Sequence, residues 1–151
     1  MNLILWRHAE AEEGSPDAGR KLTAKGEKQA QKIARWLQEH LDEPARLLAS
    51  PAKRAQQTAQ ALDENIETKN ELGVGASATR ILRAIGWPDT QGTVIVVGHQ
   101  PSLGQLAALL LAGTETDWSI KKGAIWWFEA NLSGDGLEIL LRTVLGPKEV
   151  E

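Results

Sequence analysis

The fold class that the sequence predicts is an α/β sandwich: a mostly parallel central sheet closed by an antiparallel C-terminal hairpin. Three observations predict it. Short apolar runs of strand length alternate with segments of 3.6-residue apolar periodicity along most of the chain. The run Thr93-Val94-Ile95-Val96-Val97 is almost wholly β-branched, as in a parallel strand buried on both faces. Residues 124–130 and 137–143 flank Ser133-Gly134-Asp135-Gly136, a hairpin turn signal.

In order, Leu3-Ile4-Leu5-Trp6 reads as a first buried strand, and residues 11–21, with Gly14, Ser15-Pro16 and Gly19, as a loop. Thr23 is placed as the N-cap of an amphipathic helix whose stripe is Ala30, Ile33, Ala34, Leu37 and Leu41, with Pro44 just past its end. Residues 46–49 supply a second strand. Ser50-Pro51 then reads as N-cap and first helical residue, because proline's missing N–H costs nothing there. Ala55, Thr58, Ala59 and Leu62 form that helix's inward stripe. Residues 66–69 suggest a short strand, 71–75 a loop, and 77–85 a short helix ending at Gly86-Trp87-Pro88. After the β-branched strand, Pro101 opens a helix with Leu103, Leu106, Ala107, Leu110 and Leu111 on one face. The tail, 146–151, reads as frayed.

A chain of 151 residues suits a single domain, typically about 100–150 residues, and residues 1–151 are read as one. An apolar share of 42% is enough for an ordinary core. With no cysteine, disulfides, thiolate nucleophiles and cysteine zinc sites are excluded, which fits a reducing cytoplasm. No signal peptide is readable, and the longest apolar run, 106–112, is far short of the ~20 residues of a membrane span. A net charge of −3 gives no field to recruit nucleic acid, so any cationic cluster is local and suits a small anionic group. Six tryptophans read as core or hairpin packing.

Such a cluster is visible. Arg7-His8 follows the first strand, Lys53-Arg54 the second, and His99 follows Gly98 at the end of the β-branched strand. The carboxyl ends of the strands of an open α/β sheet are where ligands bind, so three strand ends would bring two histidines and two arginines to one edge. His8 is the candidate nucleophile: an imidazole with an ordinary pKa of ~6.5 needs no base to expose a ring nitrogen near neutrality. Arg7 and Arg54 offer guanidinium forks for phosphate oxygens, and His99 a further hydrogen bond. The helix starts after Ser50 and Gln100 add backbone N–H groups. Ser50 reads first as a helix cap and second as an anion ligand. His40, at a helix C-terminus, suits the macrodipole. A metal site built from His8, Glu10 and Glu12 is an alternative, with no remote ligand to complete it.

These residues resemble a known family. Arg7-His8-Ala9 is similar to the Arg-His-Gly signature of the histidine phosphatase (phosphoglycerate-mutase-like) superfamily. Arg20-Lys21-Leu22-Thr23-Ala24-Lys25-Gly26 resembles its Arg-x-Leu-Thr-x-x-Gly segment, Ser50 to Thr58 its Ser-Pro-x-x-Arg-Ala-x-x-Thr motif, and Gly98-His99-Gln100-Pro101 its second histidine motif. Short length and the Leu-Thr-x-x-Gly wording point to the SixA-type phosphohistidine phosphatases. The resemblance implies a three-layer α/β/α sandwich and a phosphatase without metal or other cofactor. It implies His8 as the residue phosphorylated in turnover, Arg7, Arg54 and His99 as the phosphate pocket, and Arg20 as a further anion ligand. Ala9 replaces the family's glycine. For the proton donor that the family uses toward alcohol leaving groups, Glu71 lies in the right interval, and Glu10 and Glu12 are alternatives by proximity.

Only 44 residues separate Arg54 from His99, too few for a cap domain, so the site is expected to be open and suited to a phosphorylated protein side chain. Phosphohistidine on a protein is therefore the expected substrate. A phosphatase of small sugar or nucleotide phosphates is the alternative, and a phosphate-binding module without turnover a third. Neither nucleic acid nor membrane is an expected partner.

Overall fold

The computed structural model describes residues 1–89 and 91–150. They form six strands, β1 (Asn2–Arg7), β2 (Ala45–Ala49), β3 (Glu67–Thr68), β4 (Thr93–Gly98), β5 (Ile125–Ser133) and β6 (Gly136–Leu145). Four helices accompany them, α1 (Ala24–His40), α2 (Lys53–Gln60), α3 (Ala78–Ile85) and α4 (Ser102–Ala112). One sheet holds all six strands in the order β3-β2-β4-β1-β5-β6. The first four run parallel and the final hairpin is antiparallel. None of the helices among the described residues is long and apolar enough to cross a membrane.

Alternation along the strands divides the core into two layers. Leu3, Leu5, Val94 and Val96 face Ile81 and Ile85 of α3 and Leu103 and Leu106 of α4. Ile4, Trp6, Ile95 and Val97 face Ile33 and Leu37 of α1 and Ala55 and Ala59 of α2. The sheet is thus covered on both faces, as a parallel sheet requires, and the sandwich has three layers. Trp6 lies within this core and Trp126 and Trp127 in β5, which answers for three of the tryptophans as packing.

Strand register positions the site. β4 is flanked by β1 and β2, pairing Arg7 with Gly98 and Ala49 with Val97. The ladder continues one step beyond the strands: the His8 N–H donates to the Gly98 carbonyl and the Ser50 N–H to the Val97 carbonyl, each at 3.0 Å. Three chain segments distant in sequence therefore leave the sheet side by side.

Local chemistry accounts for most element boundaries. Thr23 caps α1, its hydroxyl accepting from the Gly26 N–H at 2.9 Å. Ser77 caps α3 in the same manner through Arg80, and Gly86, at φ 77°, ends it in the left-handed conformation that glycine favours. Two boundaries depart from the sequence expectation. α2 starts at Lys53 with Ala52 as N-cap, two residues after the expected Pro51. The tail is not frayed through Val150: Pro147–Glu149 form a 3-10 turn, Pro147 is buried, and the Glu149 carboxylate accepts from the Gly146 N–H. Glu151 lies outside the described residues. Leu111, expected on the inward face of α4, is 37% exposed. Residues 71–75 open with a 3-10 turn, Asn70–Leu72, whose Leu72 is buried.

Gly26 is held by a close approach rather than by its φ. A Cβ there would fall on the backbone carbonyl of Glu10, which already accepts from the Thr23 N–H at 3.0 Å. Gly26→Ala should therefore push α1 off the loop that follows His8 and cost roughly 1–3 kcal/mol. Urea unfolding of the two proteins would show it as a lower midpoint at unchanged m.

Candidate active site

His8 is 7% exposed. Its Nδ1 lies 2.7 Å from the Ala9 carbonyl, and a carbonyl only accepts, so Nδ1 carries the proton and Nε2 keeps a bare lone pair. The Ala9 N–H donates to the Thr58 hydroxyl at 3.1 Å, which itself donates to the Arg54 carbonyl at 2.8 Å. Thr58, placed by sequence on an inward stripe, thus ties the His8 turn to α2.

His99 lies across from it, ring centroids 5.2 Å apart and planes tilted by 57°. Its Nε2 is 2.8 Å from the Ser50 hydroxyl. That hydroxyl also accepts from the Ala52 N–H at 3.2 Å; in the tautomer in which it donates its own proton to His99 Nε2, His99 carries its proton on Nδ1. The bond to Ala52 is the one an N-cap serine makes to the second residue of a helix, so Ser50 keeps its expected capping contact although α2 itself begins at Lys53.

Arg7 donates from Nη1 to the Ile120 carbonyl at 2.9 Å. Arg54, 4% exposed, donates from Nη1 to the Asp17 carbonyl at 2.8 Å and from Nη2 to the Asp17 carboxylate at 3.1 Å. Three nitrogens in this group are buried without a partner: the donors Arg7 Nε and Arg54 Nε, and His99 Nδ1. Orphaned buried donors cost on the order of 1–3 kcal/mol each, so a cluster of them is a standing invitation to an anion.

The electrostatics agree. Burial, followed by the positive charges of His99, Arg54 and Arg7, pushes His8 down to about 3, opposed by its bond to Ala9. Burial, then Arg54 and Arg7, pushes His99 down to about 4, opposed by the charge of Asp17. Both rings are neutral at pH 7.

Other candidates sit differently. Arg20 is turned onto its own loop, donating from Nε to the Glu12 carbonyl at 2.7 Å and from Nη1 to Asp17 at 3.1 Å. The Glu10 carboxylate accepts from the Thr23 hydroxyl at 2.8 Å. Glu71 lines a hollow with Arg80, Arg83 and Ala84 of α3. Glu12 is exposed. Among the described residues no three His, Asp or Glu side chains converge as metal ligands, so the His8, Glu10, Glu12 alternative has no geometry behind it. Asp17 is the residue that sequence reasoning missed. Hydrogen bonds from Arg20 and then Arg54 hold its carboxyl below the usual range. The only sequence signal was its place three residues before Arg20, in a loop with no periodicity to read.

The strand ends of this α/β sandwich thus set a neutral histidine among arginines. Residues 3–74 match the model of the histidine phosphatase superfamily (branch 1). The phosphohistidine phosphatase SixA of Escherichia coli K12 is 29% identical over 146 residues, covering 90% of this chain and 89% of that protein. An uncharacterized protein of Picosynechococcus is 32% identical over 143 residues, covering 83% and 82%. The structure of the protein histidine phosphatase SixA complexed with tungstate superposes with a TM-score of 0.79 at 25% identity, covering 98% of each chain. The chain belongs to the histidine phosphatase superfamily and is of the SixA type.

Proposed function

We propose that the protein hydrolyses phosphohistidine on a protein, passing the phosphoryl group through His8. The Nε2 lone pair forms the new N–P bond as the bond from phosphorus to the substrate imidazole breaks, its electron pair leaving with that imidazole. Arg7, Arg54 and His99 Nδ1–H hold the three equatorial oxygens. A water oxygen then bonds to phosphorus as the N–P bond breaks, its electron pair returning to His8 Nε2 and the water protons passing to the released phosphate and solvent. Positioning and charge account for such a step, since phosphoryl transfer asks little covalent chemistry of the protein. The tungstate bound by the related SixA supports an oxyanion pocket of this kind.

The observation that carries the substrate choice is the state of the carboxylates. Glu10 is bonded to Thr23, Glu71 sits beside Arg80 and Arg83, and Asp17 is held ionised by two arginines. None is poised to protonate an alkoxide, whereas an imidazole protonated at its other nitrogen leaves neutral without an acid. Between α2 and β4 the described residues hold only β3, a 3-10 turn and α3, which supports a single domain with no cap over His8 and room for a protein substrate. The proposed setting is the cytoplasm.

The test compares a phosphohistidine-bearing phosphocarrier protein with a sugar phosphate, with and without EDTA. The carrier should be dephosphorylated with a kcat/KM on the order of 100-fold higher, unchanged by EDTA. Rapid turnover of the sugar phosphate with none of the carrier would transfer the assignment to small phosphomonoesters.

A further inference from the structure

A lysine face lies beside the pocket. Lys25, Lys28 and Lys32 recur along one side of α1 and, with Gln29, Pro147 and Lys148, line an open cleft of about 230 Å³. The cleft adjoins the His8 strand end through two residues. Gln29 accepts from the Glu10 N–H at 3.0 Å. Gly123 donates to the Arg7 and His8 carbonyls, each at 3.1 Å, and a Cβ on it would meet Pro147 at 2.9 Å and Gln29 at 3.4 Å. Lys121 and Lys122, both exposed, precede that glycine. Six lysines therefore gather on one flank of the site in a chain of net charge −3. None of them is in an ion pair: each ion pair among the described residues uses an arginine.

We infer that this face docks an acidic surface of the protein that carries the phosphorylated side chain; the inference rests on the proposed substrate class and names the partner's chemistry. Lys25 to Lys32 span about 10 Å along the helix, the reach of two helical turns bearing carboxylates. Ammonium groups on flexible stems suit scattered carboxylates, whereas bidentate phosphate recognition favours arginine. No aromatic lines the cleft, so it lacks the stacking platform of a single-stranded nucleic-acid groove. Charge placed at the rim raises capture and discrimination more than chemistry.

The experiment uses two dye-labelled peptides carrying phosphohistidine, one flanked by glutamates and one by glutamines. Their anisotropy is followed on the full chain bearing His8→Asn, so that neither is consumed. At about 50 mM NaCl the glutamate peptide should bind about tenfold tighter, and the difference should vanish at about 0.5 M. Adding K25Q/K28Q/K32Q should abolish the preference, while the same triple variant with His8 intact hydrolyses p-nitrophenyl phosphate at the unaltered rate. Equal binding of the two peptides, or a preference that survives the triple variant, overturns the inference. Tighter lysine-dependent binding of an oligouridylate or an anionic vesicle than of the glutamate peptide does so too. Binding is read without turnover, so the two ideas fail separately. A glutamate peptide that docks through the lysines but keeps its phosphate with His8 intact would sink only the substrate assignment.

Discussion

His8→Ala should lower kcat by about 10⁴-fold or more while leaving phosphate affinity within an order of magnitude. The asymmetry follows from the division of labour in the proposed site. Arg7, Arg54 and His99 supply the charge and donors that hold the oxyanion, and none of them depends on the His8 ring for its own hydrogen bonds. What the substitution removes is the Nε2 lone pair, together with the Nδ1 bond to Ala9, itself worth about 1 kcal/mol of stability. Rapid quench of the unaltered enzyme should trap an acid-labile phosphoryl group on His8, and the variant should trap none. Added imidazole should restore part of the turnover by entering the vacated space as a diffusible nucleophile. Unimpaired hydrolysis by His8→Ala, or a trapped phosphoryl group on another residue, would refute the covalent route.

How much of this was legible depends on which interactions leave a periodic trace. β4 announced itself because a strand buried on both faces admits few polar residues, and α1 because one face is wet and the other packed. The identities of Arg7, His8, Arg54 and His99 were readable from their places after strands. That β4 lies between β1 and β2, which sets their ends side by side, is a matter of sheet order, and the sequence carries no direct mark of it. Contacts made by irregular backbone were invisible. Asp17 meets Arg54 across 37 positions because a loop folds back. The Ser50 hydroxyl makes the cap-type bond to Ala52, but its pairing with His99 spans 49 positions and leaves no mark in the sequence. Between Trp127 and Phe128 the hairpin register slips by one residue, which alternation alone would not reveal. The tail was misread for a related reason, since Pro147 is buried against Gly123 by a contact between distant loops.

Acid should unfold this protein early, and an oxyanion should prevent it. Folding depresses both site histidines, His8 to about 3 and His99 to about 4, against an ordinary 6.5. Above pH 6.5 neither the folded nor the unfolded chain binds these protons, and the contribution to stability is fully present. As pH falls below 6.5 the unfolded chain takes up two protons that the folded chain refuses until about 4 and 3. Stability therefore drops across that window, at up to about 2.7 kcal/mol per pH unit when both differ fully. The loss is about 4 kcal/mol by pH 5 and about 6 kcal/mol by pH 4, enough to bring a protein at the low end of the typical range of about 5–15 kcal/mol to its unfolding midpoint between about pH 4 and 5. Asp17 adds to the loss at the lower end, because its carboxyl is depressed in the folded state and the benefit disappears as it protonates. A bound phosphate or tungstate reverses the repulsion that Arg7 and Arg54 exert on both rings, so their values rise and the slope flattens. Mass action adds about 2.7 kcal/mol at a hundredfold excess over Kd. Chemical denaturation from pH 7.5 to 4.5, with and without saturating tungstate, measures both effects. A stability that stays level down to pH 4.5 would show that the histidines are not held neutral by burial. An equal slope with and without tungstate would show that the oxyanion does not sit among them.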